Sequence, residues 1–302
     1  MKSARVAVIL LNWNGWRDTI RCLESLVDSD QAAFRVVLID NGSTDGSIER
    51  IQEWAATRIA IVAYNRTQAV AGGVESEETR VSMFPRSLVL VLNGDNVGFG
   101  AGNNVGLSYA LARGFDAMWV LNNDTTVDSG CLASMLRAIE AEPRVGAAGC
   151  VVCEMDHPHT VQLWGGAHVD MVLGVAPHIT SPSSSRSLNM LSGVSVLLRA
   201  AALREIGLFD ENFFMYWEDS DLSFRLRSAG WDLRVAPDAR IWHRESSSLG
   251  GRTNATRDYY YNESLRKFFV KHSWLPAVPI CLGLAARETR RTIAAVHPRR
   301  GG

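Results

Sequence analysis

The sequence predicts an α/β fold: a mostly parallel central sheet flanked by helices, then a mixed second half and a C-terminal helical extension. Two observations carry this. The first half alternates short, unbroken apolar runs with Gly- and Asn-rich turns and stretches of helical spacing. The polar motifs fall where those runs end, which is the sheet edge where open α/β folds bind ligands.

Val6–Asn12 reads as a strand buried on both faces, because its apolar run is continuous. Trp16–Ser29 has helical spacing through Ile20, Leu23 and Leu26. Val36–Asp40 is a second strand, ending in Asp40-Asn-Gly-Ser-Thr-Asp-Gly46, and Ser47–Trp54 is the next helix. The segment from Asn65 to Arg86 is polar and interrupts the alternation, so it reads as an insertion loop (65–86) at the rim of the site. Leu88–Leu92 is a strand, followed by Asn93-Gly-Asp-Asn-Val-Gly-Phe-Gly-Ala-Gly102 and a helix over Asn104–Arg113. Ala117–Leu121 is a strand ending at Asn122-Asn123-Asp124. In the second half, Ser192–Leu198, Asp232–Val235 and Ile241–His243 read as strands, and Ala200–Ile206 and Asp219–Ala229 as helices. Trp164-Gly-Gly166 and Pro177–Ser187 suggest short strands and a loop, and Tyr259–Lys271 a basic, aromatic helix.

The chain is 47% hydrophobic and 21% charged, with a net charge of −1, so no overall basic field points to nucleic acid. Nine Lys/Arg against three Asp/Glu over residues 257–302 make that end basic, whereas the rest carries 22 against 29. The basic end reads either as a solvated helix or as a contact with an anionic membrane. The Val6–Leu11 run is short and ends in Asn-Trp-Asn-Gly, unlike a secretory core. Ser273–Ala286 falls short of the roughly 20 residues that span a bilayer, and it holds Pro276 and Pro279. An odd count of five cysteines reads as reduced and cytoplasmic. Cys150 and Cys153 with His157 and His159 have half the pattern of a zinc site, but no second Cys pair follows.

Two places carry unexpected acids. Met215–Leu222 packs Glu218, Asp219 and Asp221 among aromatic and apolar residues, and Leu121-Asn-Asn-Asp124 ends an apolar run on a carboxylate. Carboxylates in such surroundings need a metal, a proton or a partner. Two of them suggest one site with a metal ligand and a general base. Plainer readings exist for each: a helix N-cap for Asp124, an Asp-Asn-Gly turn at Asp40, and an acid cluster at a helix N-terminus for residues 218–221.

Taken together, six motifs in order resemble the family 2 glycosyltransferases of the GT-A fold, particularly the bacterial rhamnosyltransferase-like branch. They are Val8-Ile-Leu-Leu-Asn-Trp-Asn14, Ile39–Gly46, Asn96-Val-Gly-Phe-Gly-Ala-Gly-Asn-Asn104, Leu121–Asp124, Gly207–Glu211 with Tyr216–Leu222, and Trp242-His-Arg-Glu-Ser-Ser248. The resemblance covers roughly residues 5–272. It implies a Rossmann-like GT-A domain over 1–256, with a nucleotide-sugar-binding half (1–127), an acceptor and catalytic half (128–256), and a basic extension over 257–302.

The resemblance also implies roles. Asp219 is the base that takes the acceptor proton in an inverting displacement, and Glu218 orients the acceptor. Asp124 and His243 hold Mg2+ or Mn2+ at the leaving diphosphate, although two asparagines precede Asp124 where the family motif has a second acid. Asn12, Asp40, Asn41, Asn96, Gly98, Asn103, Asn122 and Asn123 face a dTDP- or UDP-sugar. Gly98, Gly100 and Gly102 resemble a phosphate cradle. Trp164, Gly166, Trp217 and Asp221 line the acceptor and sugar pocket, with Asp221 alternatively serving the helix dipole. The acceptor is a glycan or a polyprenyl-diphosphate-linked saccharide, and the protein lies at the inner face of the plasma membrane. A sugar nucleotidyltransferase needs a basic Gly-rich signature that Leu11–Arg17 lacks. A glycosidase would also use paired carboxylates. A non-catalytic scaffold has no reason to keep Asp124, Asp219 and His243.

Overall fold

A computed structural model describes residues 4–27, 34–83, 85–182, 187–244 and 255–296. Asp28 and Ser29 of the first predicted helix, residues 183–186 of the Pro- and Ser-rich loop, Glu245–Ser248 of the last motif and the end of the extension lie outside these residues. The first half holds strands β1 (Val6–Asn12), β2 (Phe34–Asp40), β3 (Ala60–Asn65), β4 (Ser87–Leu92) and β5 (Ala117–Asn122). Helices α1 (Trp16–Val27), α2 (Ser47–Ala55), α3 (Arg66–Val70), α4 (Glu75–Glu78) and α5 (Phe99–Ala112) alternate with them. The second half has β6 (Thr125–Val127), α6 (Cys131–Glu140), β7 (Val145–Glu154), β8 (Val161–Trp164), β9 (Gly166–Ala167), β10 (Met190–Leu191) and β11 (Ser195–Arg199). It continues through α7 (Ala200–Ile206), α8 (Glu218–Ser228), β12 (Asp232–His243), α9 (Ala255–His272) and α10 (Ala277–Val296).

The main sheet runs β3-β4-β2-β1-β5-β11-β7-β12-β6, with β8 paired to β7. Its first five strands are parallel. β11 runs antiparallel to β5 and β7, and β6 antiparallel to β12, so the second half is mixed as predicted. The apolar runs are unbroken because both faces are covered. Val6, Val8 and Leu10 pack with Leu23, Ile51 and Leu132 from α1, α2 and α6 on one face. Ala7 and Ile9 pack with Val105, Leu203 and Leu222 from α5, α7 and α8 on the other.

Three expectations need correction. The helix placed at Asn104–Arg113 begins at Phe99, so Gly100 and Gly102 lie inside α5 rather than in a Gly-rich loop before it. They are glycines because the helix presses on its neighbours: a Cβ at Gly102 would sit 2.7 Å from Leu11 and one at Gly100 3.1 Å from Phe209. The segment 65–86 is not a rim insertion but the crossover that two parallel strands require between β3 and β4. Buried Glu78 anchors it by accepting from Arg35 at 2.9 Å and from the Tyr64 and Tyr109 hydroxyls at 2.9 and 2.8 Å. Arg35 stands near the start of β2, at the sheet end opposite the polar motifs. Finally, the two short strands expected after Asp232 are one strand, β12, whose register with β7 shifts between Ala236 and Arg240.

Candidate active site

The carboxyl ends of β1, β2 and β5 are knitted together by side chains. Asn12 Nδ2 donates to Asp40 Oδ1 at 2.8 Å and to Ser43 Oγ at 3.0 Å, while the Ser43 N–H donates to Asp40 Oδ2. Asn12 Oδ1 accepts from the Thr19 hydroxyl at 2.8 Å, and Asn123 Nδ2 donates to that hydroxyl at 2.9 Å. Asn12 and Asp40 are 0% and 2% exposed, so their first task is to shape the turn. Gly42 permits it: its φ is +75°, and a Cβ there would sit 2.8 Å from Asp95.

A second clamp joins this turn to the loop before α5. Asn41 Nδ2 donates to Asn96 Oδ1 and to the Gly98 carbonyl, and Asn41 Oδ1 accepts from Asn93 Nδ2. Gly98, with φ +88°, has no room for a side chain, because a Cβ would meet the Phe214 carbonyl at 2.3 Å. That carbonyl accepts the Phe99 N–H at 2.8 Å, tying the loop to the segment that leads into α8. Asn103 is buried within α5 and donates to the Phe99 carbonyl, so it caps no helix. Asn122 is the last residue of β5, and its carbonyl accepts from the Thr125 hydroxyl.

Asp124 is followed by β6 rather than by a helix, which removes the N-cap reading. β6 pairs with the end of β12, with His243 opposite Thr125, and this register brings His243 beside Asp124. His243 Nε2 lies 3.3 Å from Asp124 Oδ1. That oxygen is buried and accepts no hydrogen bond from the described residues. His243 Nδ1 meets Gln162 Oε1 at 2.9 Å, so the ring donates there and turns the lone pair of Nε2 toward the carboxylate. With the ring proton on Nδ1, His243 Nε2 and Asp124 Oδ1 present two lone pairs to one point, an arrangement that suits a cation. Nothing in the sequence signalled Gln162. Among the described residues, no group of three or more His, Cys, Asp or Glu is arranged to hold a metal, so the protein side offers two ligands.

The acids at 218–221 divide between two environments. Glu218 and Asp219 open α8 and line a cavity of about 170 Å³, with Gly166, His178, Ser192, Tyr216, Trp217 and Tyr261 among its walls. Asp219 Oδ2 accepts from the Gly193 N–H at 3.0 Å, and Oδ1 from the Ser220 N–H at 2.7 Å and the Ser220 hydroxyl at 3.3 Å. Among the described residues, Glu218 Oε2 is buried without a partner, as is the Trp217 indole nitrogen. Burial pushes the Glu218 carboxyl well above the usual range, and the charge of Asp219 adds to it. Burial also raises Asp219, but its hydrogen bonds from Gly193 and Ser220 pull it back. A proton shared by the pair therefore rests on Glu218, leaving Asp219 ionised.

Two residues expected in the pocket are not there. Asp221 is 0% exposed and turned toward α9, where it bonds Lys271 Nζ and His272 Nε2, and it bonds Arg225 Nε one turn along its own helix α8, each at 2.8 Å. Burial alone would raise it, but the bonds from His272, Lys271 and Arg225 outweigh burial and hold it at about 2. Trp164 is half-buried on β8, and its neighbour Leu163 lines the cavity instead. Cys150, of the half zinc pattern, donates its thiol to Ser195 in the core.

The chain matches known proteins in sequence and in fold. A family model described as glycosyltransferase like family 2 matches residues 4–262. The chain is 29% identical over 255 residues to the N-acetylglucosaminyl-diphospho-decaprenol L-rhamnosyltransferase of Mycobacterium tuberculosis, covering 76% of this chain and 73% of that protein. Among solved structures, a mannosyltransferase from Pyrobaculum calidifontis in complex with GDP-Man and Mn2+ superposes with a TM-score of 0.59 at 19% identity, covering 94% of this chain and 70% of that one. Residues 1–349 of S. aureus TarS superpose with a TM-score of 0.55 at 15% identity, covering 98% of this chain and 75% of that one.

Proposed function

The chain belongs to the glycosyltransferase-like family 2, and on that premise we propose that it is an inverting, metal-dependent transferase acting on a lipid-linked acceptor. As a member of this family it transfers a sugar from a nucleoside-diphosphate sugar to an acceptor. The donor is a dTDP- or UDP-sugar, with rhamnose the sugar that the mycobacterial relative's name suggests, and the acceptor is a polyprenyl-diphosphate-linked saccharide.

The observation that carries this reading is the placement of Glu218 and Asp219 side by side in the cavity wall, with Asp219 held by the Gly193 and Ser220 N–H groups. An ionised Asp219 can take the proton of an acceptor hydroxyl held in the cavity. The acceptor oxygen then bonds the anomeric carbon from the face opposite the diphosphate, and the carbon–oxygen bond to the diphosphate breaks with its electron pair on the leaving nucleotide. Glu218, protonated, remains free to donate to an acceptor oxygen. The nucleotide lies along the Asn12–Asp40–Ser43 and Asn41–Asn96–Gly98 clamps, which fix the ends of β1 and β2. Asp124 and His243 would hold one Mg2+ or Mn2+, and the cation would supply positive charge to the departing diphosphate.

The test is release of UDP or dTDP from a panel of nucleotide sugars with an extracted polyprenyl-diphosphate acceptor, with and without Mg2+ or Mn2+. Acceptor-dependent, cation-dependent release supports the reading. Hydrolysis of a simple glycoside without any nucleotide would replace it with a glycosidase.

A further inference from the structure

The largest exposed apolar side chains stand apart from the site. In the turn between α9 and α10, Trp274 is 100% exposed and Leu275 71%. On α10, Val278 and Leu282 lie one helical turn apart and are 45% and 44% exposed. Val172 and Leu173 are 64% and 50% exposed in a tight turn where both backbone N–H groups donate to Asp170 Oδ1.

The 172–174 turn and α10 form one surface, and the Trp274–Leu275 turn leads directly into α10. A Cβ at Gly174 would sit 1.8 Å from the Pro279 carbonyl, and one at Gly283 2.3 Å from the Gly174 carbonyl, so the 172–174 turn rests directly on α10. The inner side of this layer, Met171, Ile280 and Leu284, packs into the cluster that holds Tyr216, Trp217 and Tyr261. Those three rings wall the cavity. The exposed face is therefore the outside of the wall whose inside is the proposed acceptor pocket.

Charge selects the occupant. From residue 290 onward the sequence carries Arg290, Arg291, Arg299 and Arg300 and no acid. An anionic bilayer suits a basic stretch of sequence of this kind, and its headgroup region is where a Trp next to aliphatic side chains is most at home. We propose that this face docks the protein on an anionic lipid surface and brings the cavity to the membrane plane. The purpose of the docking rests on the lipid-linked acceptor proposed above; the docking itself does not.

The experiment uses the full chain and sedimentation with vesicles of phosphatidylglycerol and phosphatidylcholine, against vesicles of phosphatidylcholine alone. The wild type is expected to pellet with the anionic vesicles and to be released by salt. The double variant Trp274→Ala/Leu275→Ala should bind about tenfold more weakly or worse, the scale of losing one large buried aromatic. Its melting temperature should not change, because both side chains are exposed. Arg290→Gln with Arg291→Gln should weaken binding and flatten its salt dependence. No binding by the wild type, or equal binding by Trp274→Ala/Leu275→Ala, overturns the proposal. So does a dimer that this double variant dissociates while vesicle binding stays the same. Transfer to a water-soluble acceptor without the polyprenyl chain should be unaffected in the double variant. If the face binds vesicles but no nucleotide sugar is ever turned over, docking stands and the proposed function falls.

Discussion

Replacing Asp219 by Asn separates the base from everything else the residue does. Both carboxylate oxygens face donors: Gly193 N–H at 3.0 Å on one, Ser220 N–H at 2.7 Å on the other. The amide NH2 of Asn must oppose one of them, at a cost of about 1–3 kcal/mol. Against this, Asp219→Asn removes a negative charge from beside the buried Glu218, whose carboxyl that charge destabilises. The two effects oppose, so the net change in stability should stay within about 1 kcal/mol. Catalysis has no such compensation. A carboxamide cannot take the acceptor proton, so kcat should fall by about 10²–10⁴-fold, or about 3–5 kcal/mol of barrier. Donor affinity should hold, because the β1–β2 clamps do not involve residue 219. The measurements are nucleotide release for kcat, calorimetric titration for the donor, and the pH profile of kcat/KM. Because the folded pKa of Asp219 is raised above 3.8, the wild-type rate should fall with decreasing pH through a value above the ordinary carboxylate one. That limb should vanish in the residual activity of the variant. A kcat within tenfold of wild type would falsify the assignment of the base.

Three further outcomes are expected. Glu218→Gln should raise the melting temperature, increasingly so as pH rises: the folded state holds a proton on Glu218, and the associated stability is lost as pH climbs through the raised pKa. A gain that is flat with pH argues against a protonated Glu218. Gln162→Leu should weaken Mn2+ binding by about 10–100-fold in an EPR titration of the protein alone, because His243 loses the acceptor that fixes its ring; unchanged affinity removes Gln162 from the cation site. Asp221→Ala should cost about 3–5 kcal/mol in urea unfolding, since Arg225, Lys271 and His272 lose their shared buried partner. In the wild type the Asp221 contribution is complete above pH 3.8 and is lost as pH falls toward about 2, so the acid limb of the stability curve should flatten in the variant.

How legible each feature was follows from how much of it is local. Strands β1, β2, β4 and β5 could be read because helices cover both faces, which leaves continuous apolar runs. Edge strand β3 went unread because its residues alternate between exposed and buried and end in no motif. The start of α5 was misplaced because Gly100 and Gly102 look like turn residues, whereas their task is close approach to Leu11 and Phe209, visible only in three dimensions. Asp219 and Asp221 were read as neighbours of one pocket. On a helix, residues two apart point to different sides, so one faces the cavity and the other α9. The pairing of Asp124 with His243 is set by a strand register 119 positions apart in sequence, and family resemblance supplied what spacing could not. Gln162 contributes one amide in a polar stretch, a signal that no sequence pattern distinguishes.

The arrangement of the catalytic acids depends on strain just before them. Tyr216 and Trp217 have φ of +67° and +68°, a left-handed conformation that costs a bulky residue roughly 1–2 kcal/mol each. Such a pair persists only if its surroundings over-determine it. Here the surroundings come from α9: Trp217 packs on Tyr261, Phe268 and Phe269, Tyr216 on Tyr261, and the Ser264 hydroxyl donates to the Met215 carbonyl. The reversal points the N-terminus of α8 into the cavity, so Glu218 and Asp219 stand in the first turn, where the helix dipole supports the ionised form of Asp219. Asp221 in the same helix is locked to Lys271 and His272 at the far end of α9. Helix α9 thus grips α8 at both its entry and its buried face. Seen this way the helical extension holds the acids in place, and through α10 it carries the exposed face proposed to meet the membrane.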